Sequence, residues 1–366
     1  MKRVCFFSGD ITRSGGTEKV ACQIMSGLCD TFDVSVISLT EENATAFFSL
    51  PEQIKRTVLF PTQPSGTRQF FQIVSRVRSY VKDNHIDALI DVDTILDMFS
   101  VPALRGLPVK LIAWEHFNFY ETMGNRLRVP IRKHMTRRAD CVVTLTKEDQ
   151  ANYQRNFEGK TRIEQIYNPI ELSKSGEPYA IDSKTIISAG RLARQKGFDY
   201  LIDIAEKVFA KHPDWEWLIL GEGEERASLE EKIKEKRLIQ VKLMGRVSNV
   251  ADYLRKSAIY VMTSRYEGFP LVLVEAKAAR LPVVSFDCKT GPAELIRDGE
   301  NGFLVPCFDV ESIAEKINEL IEQPKLRQAL SEGALLDTDK MDYGGIVSQW
   351  KKLIFEVLIY DGEKTH

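Results

Sequence analysis

The chain has 366 residues, of which 43% are hydrophobic and 28% charged, and carries a formal net charge of −2. That length leaves room for about two domains of roughly 150 residues each. The composition is that of an ordinary folded protein, and the near-neutral charge excludes a molecule built as a whole around nucleic acid, so no nucleic-acid partner is expected. The six cysteines (Cys5, Cys22, Cys29, Cys141, Cys288 and Cys307) form no C-x-x-C pair and lie near no histidine cluster. They read as reduced core thiols rather than zinc ligands or a disulfide frame. Residues 1–8 hold too short an apolar run for a secretory signal, and no run approaches the roughly 18 apolar residues of a membrane span. The chain is therefore expected in the cytoplasm.

In chain order, short apolar runs bounded by Gly, Asp or Asn predict strands at 3–8, 34–39, 88–91, 110–114, 141–145 and 163–167, with helices between most of them, as at 16–29 and 70–82. After Asn168-Pro169 a second series predicts strands at 185–189, 217–221, 241–244, 259–263 and 282–286, with helices at 197–211 and 226–236. Such alternation argues for an α/β class with parallel sheets covered on both faces. Each series restarts with a buried strand and a Gly-containing loop, which predicts two Rossmann-like domains, 1–172 and 173–344, linked through 167–183 with its Pro169, Gly176 and Pro178. A last helix at 343–360 carries Ile346, Val347, Trp350, Leu353, Ile354, Val357 and Leu358 on one face, a stripe that must pack on something.

The strongest chemical signal follows the strand at 259–263, in Ser264-Arg265-Tyr266-Glu267-Gly268-Phe269-Pro270-Leu271-Val272-Leu273-Val274-Glu275-Ala276. Pro270 suits a first helical position, so the amides of Leu271 and Val272 lack intrahelical partners and point at an anion. Glu267 lies in the loop and Glu275 about a turn into the helix. One carboxylate can meet hydroxyls on one side of a phosphate and the other those on the far side, the order of groups in a sugar-diphosphate-ribose. In Gly190-Arg191-Leu192-Ala193-Arg194-Gln195-Lys196-Gly197, a strand runs into a basic loop whose cations suit the growing charge of a departing diphosphate.

These segments resemble glycosyltransferase family 4, retaining enzymes of the GT-B fold, whose signature is two Glu at the spacing of Glu267 and Glu275. The resemblance spans essentially the whole chain and implies a GT-B architecture, two Rossmann-like domains facing across a cleft, with segment 345–366 packing back on the first. It implies that Glu267 contacts the donor sugar, Glu275 the ribose, and Arg191 and Lys196 the diphosphate, beside Gly268, Phe269, Pro270, Leu271 and Val272. Ser14-Gly15-Gly16-Thr17-Glu18 matches a glycine-rich ligand loop, so Gly15 and Gly16 are carried over as donor contacts. His116, in Trp114-Glu115-His116, matches a site histidine and is grouped with Glu267, Arg191 and Lys196 as catalytic, Glu115 being a less secure companion. Gly245, Arg246 and Val247 look like the base-binding edge, and Thr290-Gly291-Pro292-Ala293-Glu294 like a further donor-site element.

Neither Gly15-Gly16 nor Gly221-Glu222-Gly223-Glu224 forms a G-x-G-x-x-G fingerprint, which argues against a nicotinamide dehydrogenase. Asp91-Val92-Asp93 has the D-x-D spacing of metal-dependent transferases of another fold but lies away from the donor signature; no metal and no cofactor are expected. Arg126, Arg128, Arg132, Lys133, Arg137 and Arg138 fall within thirteen residues around Leu127, Ile131 and Met135, a pattern that suits an anionic membrane surface. The resemblance thus implies transfer of a hexose or N-acetylhexosamine from a UDP-sugar to a glycan or lipid-linked glycan. It leans toward bacterial surface-polysaccharide enzymes peripheral at the inner face of the cell membrane. A nucleotide-sugar epimerase on the same fold and a non-catalytic nucleotide-sugar sensor stay open.

Overall fold

The computed structural model describes residues 1–64, 67–122, 124–159, 161–170 and 179–359. Residues 171–178 of the predicted linker and the predicted last helix beyond residue 359 lie outside the described residues. The chain forms two compact units, Met1–Pro169 with the segment from Tyr343 on, and Ile170–Asp342.

In the first unit, strands β1 (Arg3–Ser8), β2 (Asp33–Ser38), β3 (Lys55–Val58), β4 (Ala88–Val92), β5 (Lys110–Trp114), β6 (Cys141–Thr144) and β7 (Arg162–Gln165) form one parallel sheet in the order β3-β2-β1-β4-β5-β6-β7. The central strands are buried on both faces because helices cover both, which is why they read as continuous apolar runs. The strand β3 was not expected from the sequence. It is an edge strand of Lys55, Arg56, Thr57 and Val58, largely exposed, and charge on an edge blunts pairing with other chains.

The last helix (Tyr343–Ile359) buries Ile346, Val347, Trp350, Leu353, Ile354 and Val357. It lies against the helix Gly16–Leu28 so closely that a Cβ on Gly27 would meet the Val347 Cγ2 at 2.4 Å. Phe355 packs on Phe32 and Trp350 packs edge-on against Trp114, with ring centroids 4.9 and 4.7 Å apart.

In the second unit β8 (Thr185–Ala189), β9 (Glu216–Leu220), β10 (Val241–Gly245), β11 (Ile259–Met262), β12 (Val283–Phe286) and β13 (Gly302–Val305) form a parallel sheet in the order β10-β9-β8-β11-β12-β13. The unexpected strand here is β13, a four-residue run after a glycine-bearing turn. Its Gly302 lies where a Cβ would be 2.5 Å from the Val283 carbonyl oxygen. In both sheets the strand order reverses beside the first strand, between β1 and β4 and between β8 and β11. Open α/β sheets bind ligands outside the carboxyl ends of the strands at such a switch point. No helix among the described residues is long and apolar enough to cross a membrane.

Candidate functional site

Because β8 and β11 are neighbours, the loops leaving their carboxyl ends meet. Arg265 N donates to Gln195 O at 2.8 Å, Gln195 Nε2 to Tyr266 O at 3.1 Å, and Thr263 Oγ1 to Lys196 O at 3.2 Å. The Arg265 guanidinium forks onto Asp199 at 2.8 and 2.6 Å and lies over the Tyr200 ring. Gly197 is needed for this approach. Its φ is +65°, and a Cβ there would stand 2.1 Å from the Thr263 carbonyl oxygen.

The stitched loops place Lys196 Nζ 2.7 Å from Glu267 Oε1, which also accepts from Ser264 Oγ at 2.6 Å. Glu267 is 4% exposed. Its backbone carbonyl accepts from Thr290 Oγ1, so the predicted 290–294 element does come against the Glu267 loop. Gly291, with φ +101°, leaves room for Pro270, whose Cδ would be 2.6 Å from a Cβ.

The helix Leu271–Ala278 begins one residue later than expected, with Pro270 as its cap rather than its first member. Leu273 N and Val274 N both reach Pro270 O, at 3.0 and 3.2 Å, while the N–H groups of Leu271 and Val272 meet no acceptor among the described residues. A small recess lies beside them, lined by Ser188, Lys196, Ser264, Pro270 and Val272 among others. Gly268 and Phe269 are buried in the loop, and half-buried Glu275 follows in the helix. Burial, and then the nearby charges of Glu267 and Glu275, push the Tyr260 phenol up, so both acids lie close to one buried side chain.

Other predicted residues are placed differently. Arg191 leaves the same loop but is 73% exposed in its side chain and pairs with Glu224 at 3.1 Å. Gly245 ends β10 with φ +73° and accepts from Gly221 N at 2.9 Å; Arg246 is exposed and Val247 half-buried. The sequence reading dismissed Gly221 for want of a dinucleotide fingerprint. Its role is steric, since a Cβ there would sit 1.9 Å from Gly190 O. Ser264 and Gly197 were likewise not singled out, although both neighbour residues that were.

In the first unit, Gly15 caps and Gly16 opens the helix after β1. A Cβ on Gly15 would meet Glu18 Oε2 at 2.2 Å, so the Glu18 carboxylate folds back over the helix start. His116 follows β5, 6% exposed, its ring centroid 4.4 Å from that of Trp114. Its Nε2 is buried without a partner among the described residues. Burial pushes its pKa down to about 4, so the ring is neutral at neutral pH and is no proton reservoir there.

Three expectations are corrected here. Glu115 does not accompany His116 toward a ligand; it is fully buried and paired with Arg132 at 2.6 Å. Arg132 is therefore no part of a basic surface, and Arg128 forks onto Asp93 with both bonds at 2.8 Å. Exposed or half-exposed cations remain at Arg126, Lys133, Arg137 and Arg138.

Asp93 is thus committed to Arg128, and Asp91 Oδ1 accepts from Ser100 Oγ at 2.8 Å. Asp91 Oδ2 and both Asp97 oxygens meet no donor among the described residues, yet the two carboxyls lie within reach of each other. They can use that contact only if one is protonated. Burial, partly offset by the contact with Asp97 and by Ser100, pushes Asp91 up to about 7, and burial together with the Asp91 charge pushes Asp97 up as well. Acids whose folded pKa is raised bind more protons folded than unfolded, so stability falls as pH rises from about 4 toward 7. Asp97→Asn supplies a donor at any pH. It is expected to raise Tm at pH 8 by about 3–8 °C and to change it little at pH 4.5, read by calorimetry.

Both units are Rossmann-like open parallel sheets with a switch point beside the first strand, the place where sheets of this class bind ligands. Residues 14–174 match the family Glycosyltransferase Family 4, and residues 172–336 the family Glycosyl transferases group 1. An uncharacterized glycosyltransferase of Haemophilus influenzae is 34% identical over 97% of this chain and 100% of its own length. A Campylobacter jejuni enzyme named GalNAc-alpha-(1->4)-GalNAc-alpha-(1->3)-diNAcBac-PP-undecaprenol alpha-1,4-N-acetyl-D-galactosaminyltransferase is 26% identical over 98% of this chain and 99% of its own. The crystal structure of Anabaena Alr3699/HepE in complex with UDP and glucose is similar with a TM-score of 0.82 at 21% identity, covering 97% of this chain and 100% of that one. The chain belongs to the family 4, group 1 glycosyltransferases, and its fold is their GT-B fold.

Proposed function

We propose that the chain is a retaining transferase that moves a hexose or N-acetylhexosamine from a UDP-sugar to a glycan or lipid-linked glycan acceptor. The observation that carries this reading is the second unit's switch point. Lys196 and the unpartnered Leu271 and Val272 amides sit there beside Glu267, an anion pocket next to a hydroxyl-binding acid. In the ligand-free arrangement Lys196 and Glu267 satisfy each other; with donor bound, Lys196 faces the diphosphate and Glu267 a sugar hydroxyl. Arg191 joins by giving up its exposed pair with Glu224, a contact of at most about 1 kcal/mol. These two cations and the helix amides supply the neutralising charge, and no metal or cofactor is invoked.

Glu275 takes the ribose, and Gly245, Arg246 and Val247 the base edge. His116, Gly15 and Gly16 keep the ligand-contacting roles that the resemblance gives them. The neutral His116 serves as a hydrogen-bonding group rather than an acid. The UDP in the Anabaena structure and the undecaprenol-linked acceptor in the Campylobacter enzyme's name support the donor and acceptor classes.

The test is a thermal-shift screen with UDP-, GDP- and ADP-sugars. A UDP-sugar at 100 times its Kd stabilises by about 2.7 kcal/mol. NMR of the product formed with a lipid-diphosphate glycan then reads the anomeric configuration. No shift with any nucleotide sugar would sink the reading, and a new sugar isomer from donor alone would favour an epimerase.

For a peripheral membrane location the remaining patch is Arg126, Lys133, Arg137 and Arg138, beside Leu127 with 56% exposure. Each basic residue near an anionic surface is worth about 1 kcal/mol. Neutralising all four with Gln is expected to weaken binding to anionic liposomes by up to about 1000-fold on that estimate, and unchanged cosedimentation would count against a membrane-bound state.

A further inference from the structure

His116 sits on the loop between β5 and the short helix Arg128–His134, and that loop is pinned on both sides of it. Phe117 N donates to Glu115 Oε1 at 3.0 Å and Phe119 N to Asp149 Oδ1 at 2.8 Å. Arg132 Nη1 reaches Phe119 O at 3.1 Å and Glu121 O at 2.5 Å. The same guanidinium meets Glu115 through Nε at 2.6 Å and Nη2 at 3.2 Å. Glu115 Oε2 further accepts from Tyr153 OH at 2.5 Å and Thr94 Oγ1 at 2.9 Å.

Both charged side chains are 0% exposed. A buried ion pair gives up hydration that its mutual attraction at best repays, and an apolar pair of similar volume is often as stable or more so. Stability alone is then a poor account of the Glu115–Arg132 pair. What the pair does supply is one rigid anchor for the backbone at 115, 117, 119 and 121. The imidazole carried in that frame lies against Trp114, itself backed by Trp350, and its buried Nε2 has no partner among the described residues.

We infer that Glu115 and Arg132 are positioning residues for His116: fully buried, they fix the backbone on both sides of its imidazole, and they touch no ligand themselves. The inference rests on the ligand-contacting role proposed for His116. Removing both charges together avoids stranding either, so the double variant Glu115→Leu with Arg132→Met is expected to fold. It should then show a loop that no longer holds its histidine.

Selective ¹⁵N-histidine labelling makes this visible, since the chain has five histidines and the His116 signal is assigned by its loss in His116→Gln. In the double variant the His116 ring nitrogens are expected to move to the shift and line width of a solvent-exposed imidazole. Turnover should fall about 10–100-fold, mainly in kcat, while the thermal shift with UDP, which reads the second unit, stays within error of wild type. Tyr153→Phe removes a single donor from Glu115 and should move the same resonance by a smaller amount, whether or not the double variant folds. An unmoved His116 resonance in Tyr153→Phe, or a folded double variant with that resonance unmoved and turnover within twofold of wild type, overturns the inference. Absence of any UDP shift in the wild-type protein counts instead against the proposed reaction, because the NMR readout needs no nucleotide.

Discussion

Replacing Lys196 with alanine is expected to lower turnover by about 100-fold or more, because a preorganised donor aimed at developing charge is worth about 10²–10³ in rate. The departing diphosphate gains negative charge as the glycosidic bond breaks. The backbone that carries Lys196 is held by the Gln195–Tyr266 and Thr263–Lys196 bonds, so only its side chain has to turn from Glu267 to the diphosphate. If its role is confined to the transition state, kcat and kcat/KM fall together; if it also grips the ground-state diphosphate, KM rises as well. The same substitution leaves Glu267, 4% exposed, with the Ser264 hydroxyl in place of an ion pair. A modest loss of Tm is therefore expected alongside, and circular dichroism separates it from the catalytic loss. Near-normal steady-state turnover in Lys196→Ala would remove the diphosphate role from this residue.

Much of this site was legible because its parts are local in sequence. Strand, loop, Pro270 and helix follow one another, and Glu267 and Glu275 sit at a fixed spacing, so one pass along the chain finds the candidate site. The tandem parallel sheets were legible for a related reason: strands buried on both faces read as apolar runs whatever they pair with. Of the two missed strands, β3 fails that test as a charged edge, whereas β13 is a buried apolar run, Gly302-Phe303-Leu304-Val305, that begins on a glycine.

What remained hidden depends on contacts distant in sequence. The need for glycine at 197 and 221 comes from carbonyls at Thr263 and Gly190, which no periodicity reports. The run of cations from Arg126 to Arg138 looked uniform, because composition cannot tell a guanidinium in water from one turned inward onto Asp93 or Glu115. The D-x-D spacing misleads in the same way, Asp93 being occupied by Arg128 from 35 residues away.

Arg132→Met alone is expected to be the most destabilising single change in the basic segment, lowering Tm by about 6–20 °C. Removing one partner of a buried pair costs about 3–5 kcal/mol, at about 2–4 °C per kcal/mol for a unit of this size. In the wild type burial opposes ionisation of Glu115, but the Arg132 charge and the donors around it prevail and hold the carboxyl below its ordinary range. Its contribution is therefore present above the unfolded carboxylate pKa and lost as pH falls through the depressed folded value. Without Arg132 the balance reverses. Burial now dominates, the folded pKa rises above the unfolded one, and stability declines as pH rises. The penalty in Arg132→Met should thus be larger at pH 8 than at pH 5.5, where Glu115 can take up a proton. Lys133→Met, one residue along and exposed, should change Tm by less than about 2 °C at either pH, since surface substitutions away from such features stay within about 0.5 kcal/mol. Combining Glu115→Leu with Arg132→Met should restore most of the loss, because no buried charge is left without its partner. A double variant as unstable as Arg132→Met, or a single variant whose penalty does not grow with pH, would mean that lost packing rather than a stranded charge sets the cost.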